Sequence, residues 1–186
     1  MLTRSHQVCS IAIVQGELLV THQLFVHPLP SLVMLLATGI GATLPDIDQH
    51  NSDANHHLLV NLSFLFAHRG ITHSLCGWLI FSALSYLILN SIAPLIPGPT
   101  LHQWCWFFFW LGLISGYILH VLEDSFSEYG VRWLAPFSHH RYHSALIFSY
   151  RVGGPFEKLL LMIAFLAIIM MSIDWATQLS TYNGVF

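Results

Sequence analysis

The 186-residue chain carries six Lys/Arg against nine Asp/Glu, thirteen His and a formal net charge of −3, with 55% apolar residues, 8% charged residues and a mean hydropathy of +0.64. Soluble domains carry roughly 25% charged residues, so this composition excludes an ordinary soluble protein and fits a chain embedded in a lipid bilayer. The basic residues are scattered and form no stripe, which argues against direct DNA or RNA binding.

No Pro/Ser-rich linker, charge run or internal repeat divides the chain, so residues 1–186 read as one membrane-embedded domain. Arg4 precedes a segment interrupted by Gln15, Gly16 and Glu17, with no small-residue cleavage site, so the start reads as mature protein rather than a signal peptide. Residues 7–20 mix apolar and polar positions, as expected of a helix packed on other helices. A Pro-containing connection at 27–30 then leads into a short apolar segment, Leu29 to Leu44. A hairpin of these two helices returns the chain so that His6 lies at the same end as Asp46 and Asp48. Leu75 to Pro97 contains neither charge nor His, and Trp104 to Leu122 contains only His120, so both meet the ~20-residue requirement for a membrane span. Their short connection around Pro97-Gly98-Pro99 returns His120 and Asp124 to the end where His68 and His73 lie. Leu159 to Ile173 is short but continuously apolar; it and Leu29 to Leu44 are expected as tilted spans or partly inserted helices. The expected fold is all-α, a membrane-embedded helical bundle of about four membrane helices plus an N-terminal helix. Arg69, Arg132, Arg141, Arg151 and Lys158 fall in loops on one face, and Arg4 joins them, so the positive-inside rule makes that face cytoplasmic.

Ionisable groups in so apolar a chain are costly unless something pairs with them, and a divalent metal suits mixed His and Asp ligands. Asp46 and Asp48 follow Pro45 at a helix end, where turn chemistry and cation binding are both open readings. The negative end of the helix dipole disfavours carboxylates there unless they are compensated. His68 and His73 are five residues apart, about 140° on a continuous helix. Gly70 permits a turn between them, and Thr72 is expected to cap a helix beginning at His73. His120 and Asp124, at i and i+4, share a helical face. His139, His140 and His143 lie beside Arg141 and read as solvated or headgroup-facing, as do His56 and His57. Glu157, near a helix start where the dipole favours an acid, is a second-rank ligand candidate. Cys9, Cys76 and Cys105 have no CxxC or zinc spacing and read as apolar fillers.

Leu44-Pro45-Asp46-Ile47-Asp48, His68-Arg69-Gly70-Ile71-Thr72-His73-Ser74, and Gly116 through Pro136 with His120, Asp124, Gly130 and Trp133 in register resemble the YdjM-like family. Its members are bacterial inner-membrane proteins described as metal-dependent hydrolases. The resemblance extends from His6 to Gly154-Pro155-Phe156-Glu157; Glu128 replaces a frequent Pro, and Ala135 a usual aromatic. It implies a multi-pass protein of the bacterial inner (cytoplasmic) membrane, with His6, Asp46, Asp48, His68, His73, His120 and Asp124 as ligands of one or two divalent ions (Zn, Mn or Fe). Seven donors exceed one tetrahedral zinc and suit two ions about 3.5–4 Å apart. The implied activity is hydrolysis, a metal-activated hydroxide attacking an ester, with Arg69 either holding an anionic substrate oxygen as a catalytic group or serving as an interfacial anchor. The membrane location points to a lipid or lipid-linked phosphoester as substrate. The alternative is a non-catalytic metal-binding protein: a sensor, a transporter or a metal-stapled scaffold. Transport fits poorly, because the two clearest spans contain no ionisable group between Leu75 and Leu119 apart from His102 in the connection.

Overall fold

Helix boundaries follow the local chemistry of the chain in a computed structural model that describes residues 1–48, 71–95, 100–142 and 150–183, the side chains of 47, 48, 100–102 and 180–183 excepted. Helix α1 (Thr3–Val20) is followed by the single turn α2 (Gln23–Val26) and by α3 (Pro28–Gly41), whose prolines sit in the first turn. There the missing N–H has no intrahelical partner to lose. A 3₁₀ turn, Leu44–Asp48, ends this limb. After a second short turn at Ile71–His73 come α4 (Leu75–Ile92), α5 (Thr100–Ser125) and α6 (Pro155–Asn183). Among the described residues the only β pairing is two isolated bridges, Ser127 with Tyr150 and Val131 with Tyr142.

The architecture is the expected one: α1 plus four segments long and apolar enough to cross a membrane, Pro28–Asp46, Leu75–Leu95, Gln103–Ser125 and Pro155–Leu179. Two local expectations are corrected. The segment expected to be short at 159–173 belongs to a 29-residue helix, because neither Gly nor Pro interrupts 156–183 and the isolated Asp174 does not break it. The N-cap of α4 is Ser74 rather than Thr72: its Oγ accepts from the Gly77 backbone N–H at 3.1 Å, while Thr72 and His73 lie in the preceding turn.

Helix α3 sits at the centre. Its backbone runs against α5 with almost nothing between them, since a Cβ on Gly112 would meet the Met34 carbonyl oxygen at 2.3 Å and one on Gly116 would meet that of Thr38 at 2.2 Å. This Gly112-x-x-x-Gly116 pair is the small-residue spacing that lets helices approach closely in membranes. Helix α1 packs on α3, α5 and α6, and α4 flanks α5. Val14, Leu18, Leu24, Met34 and Phe108 close one end of the core, where the Trp175 indole donates to the Leu24 carbonyl at 3.2 Å. Tyr117, Val121 and Val131 pack with Trp78, Phe81 and Trp133 towards the other. Leu79, Leu84 and Leu87 of α4, and Met162, Leu166 and Met170 of α6, are exposed, which suits contact with lipid.

Candidate metal centre

Four chain segments meet at the second end of the bundle. The first turn of α1 brings His6, the turn after α3 brings Asp46, the turn before α4 brings His73, and the last two turns of α5 bring His120 and Asp124. All five side chains are buried, the three histidines completely.

Each imidazole is held through Nδ1. His120 Nδ1 lies 2.7 Å from the Ala42 carbonyl oxygen, an obligate acceptor, so Nδ1 carries the proton and Nε2 presents a lone pair. His6 Nδ1 lies 2.6 Å from Glu123 Oε2, and His73 Nδ1 lies 3.2 Å from Thr72 Oγ. The buried Nε2 of His120 has no hydrogen-bond partner among the described residues. Instead it faces Asp46 Oδ1 at 3.6 Å. An imidazole fixed by a hydrogen bond on one nitrogen, with the other bare and buried opposite a carboxylate, is the arrangement of a metal ligand.

The separations test the fit. Donors on a tetrahedral ion with bonds of 2.0–2.1 Å stand about 3.3–3.4 Å apart. His6 Nε2 is 3.3 Å from Asp124 Oδ1, His73 Nε2 is 3.7 Å from Asp46 Oδ1, and His73 Nε2 is 3.9 Å from Asp124 Oδ2. Two triads emerge, His6–His120–Asp124 and Asp46–His73–His120, each with ligand atoms within 4.8 Å of one another. They share His120, whose single lone pair serves one ion. The two oxygens of Asp124 face different histidines, so its carboxylate can bridge two ions or complete one sphere.

Charge at the centre is balanced by neighbours. The Met1 amino group is 2.9 Å from Asp124 Oδ1. Burial opposes protonation of His6, but the carboxylates of Asp124 and Glu123 outweigh it and hold its pKa above the ordinary value. Ser10 Oγ donates to Glu123 Oε1 at 3.2 Å, and Tyr150 Oη donates to the Glu123 carbonyl at 2.8 Å.

Of the seven ligands implied by resemblance, five converge. The Asp48 side chain and His68 lie outside the described residues, as do Arg69, His56, His57 and His143. His139 and His140 are exposed. Glu157 joins neither triad. It clasps two helices instead, accepting from the Leu2 backbone N–H at 2.7 Å, the Ser5 hydroxyl at 2.6 Å and the Gly153 backbone N–H at 2.8 Å. Glu123 is the functional residue the motifs did not single out. Its signal was its position three residues after His120, which places it on the same side of the helix as the ligand pair.

The model of the family described as YdjM inner membrane protein matches residues 1–177. The chain is also similar to the uncharacterized protein YfhP of Bacillus subtilis (strain 168), 32% identical over 111 residues. That match takes in 60% of this chain and 30% of the relative's length. No solved structure matches.

Proposed function

The chain belongs to the YdjM inner membrane protein family, and we propose that it is an integral membrane metal-dependent hydrolase acting on a lipid or lipid-linked phosphoester from the cytoplasmic interface. The observation that carries this reading is His120, whose Nδ1 is committed to the Ala42 carbonyl while its bare Nε2 faces Asp46 in a buried cluster of His and Asp donors. His6, Asp46, His73, His120 and Asp124 would hold the metal, Zn, Mn or Fe by ligand type, as one ion or two. A divalent ion supplies a Lewis acid and lowers the pKa of water enough to provide hydroxide near neutral pH. Glu123 fixes the His6 ring, and Asp46 and Asp124 bring the negative charge that retains a cation. Arg69, next to His68 in the sequence, is assigned to a phosphoryl oxygen of the substrate because its guanidinium suits a phosphate.

The position of the cluster supports a membrane-borne substrate, because it sits where the apolar segments Pro28–Asp46 and Gln103–Ser125 end and Leu75–Leu95 begins. Arg4, Arg132, Arg151 and Lys158 lie in or beside the same turns, which supports a cytoplasmic orientation.

Elemental analysis of detergent-purified protein tests the metal: up to two divalent ions per chain are expected, lost in Asp46→Ala, His73→Ala and Asp124→Ala. A panel of lipid and soluble phosphoesters then tests hydrolysis. Arg69→Ala should retain metal and lose about 2–4 kcal/mol of transition-state stabilisation, the scale of a deleted electrostatic donor. Metal-free wild-type protein would defeat the reading. Deep burial of all five donors also suits a second one, a closed metal staple between helices. In Co(II)-substituted protein, a spectrum unmoved by inorganic phosphate would favour the staple.

A further inference from the structure

A groove of ≈ 590 Å³ runs between α1 and α6 beside the metal centre. Cys9 and Ala12 stand on one wall, and Phe156, Leu160, Ala164 and Met171 on the other. Glu123 closes the end near the cluster. From Phe156 to Met171 the α6 wall is about 22 Å long at 1.5 Å per residue, enough to cover the ~15 Å of hydrocarbon in one leaflet. The Cys9 thiol adds no charge to the wall, because burial, reinforced by Glu123 and Glu157, pushes its pKa to about 12.

We propose that this groove holds one acyl chain of a membrane lipid whose ester head lies at the His/Asp cluster. The proposal deepens the hydrolase reading and rests on it for the role of the head group. Three observations select this occupant. The groove leads to the cluster itself, since Glu123 lines its end and also holds His6 through Nδ1 at 2.6 Å. Its wall belongs to the segment Pro155–Leu179, which is apolar enough to cross a membrane, so the groove is placed where acyl chains are. Its volume is that of a small-molecule site of about 300–1,000 Å³. A groove of this size along an apolar wall accommodates a chain of methylenes.

The experiment uses the full-length protein in vesicles containing a trace of phosphatidylglycerol that carries a diazirine midway along one acyl chain. After irradiation, adducts are located by peptide mass spectrometry. Adducts on Cys9, Leu160 and Ala164 should exceed those on the exposed α4 residues Leu84, Leu87 and Ile88 by about tenfold, a preference equal to about 1.4 kcal/mol. Equal labelling of the two sets would overturn the proposal, and this measurement needs no variant. Filling the groove with Ala12→Leu and Ala164→Leu together should abolish the excess on Cys9 while metal content stays at the wild-type value. Persistent excess in that metal-loaded variant would also overturn it. The hydrolase reading is separable: groove labelling without cleavage of any ester supports the acyl site and removes the enzyme. Conversely, cleavage of long-chain and soluble esters at unchanged relative rates in the filled variant overturns the acyl site and leaves the enzyme standing.

Discussion

The rings of His6 and His120 stack with centroids 3.7 Å apart and planes 22° from parallel. Two imidazoles from opposite parts of the chain lie face to face in the bundle interior, each gripped at Nδ1, His6 beside the Glu123 carboxylate and His120 by the Ala42 carbonyl. Stacking would repel them if both were protonated, so the arrangement suits a pair of which at least one is neutral and ready to ligate.

The grip on His6 leads to the first prediction. Glu123→Gln keeps the shape and the acceptor oxygen but removes the charge that raises the basicity of the ring. Metal affinity should fall by about 10–100-fold, the range for outer-shell partners of ligating histidines. Competition with a fluorescent chelator measures this; unchanged affinity would return Glu123 to a purely structural role.

The second concerns pH. In metal-free protein the His6 pKa lies above its ordinary 6.5, so this group contributes stability fully below about that pH and loses it as pH rises through the higher folded value. The groups facing it are the carboxylates of Glu123 and Asp124, the Met1 amine and the His120 ring. The share of stability that His6 supplies, read as the melting-temperature difference between chelator-treated wild-type and His6→Ala protein, should therefore shrink from about pH 6.5 upward. Zinc-loaded protein should show the opposite slope, because protons compete with the metal for His. Parallel slopes in thermal unfolding with and without zinc would refute this.

The third addresses the contact between α3 and α5. A methyl at Gly116 would stand 2.2 Å from the Thr38 carbonyl oxygen and 2.7 Å from the Ala42 nitrogen. Gly116→Ala should cost about 1–3 kcal/mol, the usual range for overpacking, and should weaken metal retention by displacing the carbonyl that orients His120. Gly16→Ala is the control, since its methyl would meet only the Met171 sulfur at an ordinary 3.6 Å. Thermal unfolding and metal content should separate the two variants.

The fourth is topological. With Cys9, Cys76 and Cys105 replaced by serine, a cysteine at the exposed position His139 should react with a membrane-impermeant maleimide only once the cytoplasmic face is opened. Labelling in intact cells would invert the assignment made from the basic residues.

The sequence made parts of this site legible for identifiable reasons. His120 and Asp124 follow the helical period, and the hairpin of α1 and α3 carries His6 to Asp46, so local rules suffice to bring three segments together. Glu123 escaped because, with Asp124 next to it, nothing local says which acid binds metal and which supports a ring. Thr72 and Ser74 are both good capping residues, and the choice fell to Ser74 through its bond to Gly77. Gly112 and Gly116 signal close packing but do not name the helix that approaches. The extent of α6 was underestimated because an apolar run marks where lipid is met, whereas a helix continues until something stops it. The groove depends on how α1 and α6 pack side by side, which no local pattern encodes.

Glu157 ties the first turn of α1 to the first turn of α6 through Leu2 and Ser5. In a growing chain His6 leaves the ribosome long before that clasp exists. At about 5–20 residues per second, roughly 8–30 s separate the synthesis of His6 from that of Glu157. Until then His6 has only the groups of α3 and α5 to hold it, the Glu123 carboxylate among them. The clasp thus joins the ligand made first to the helix made last.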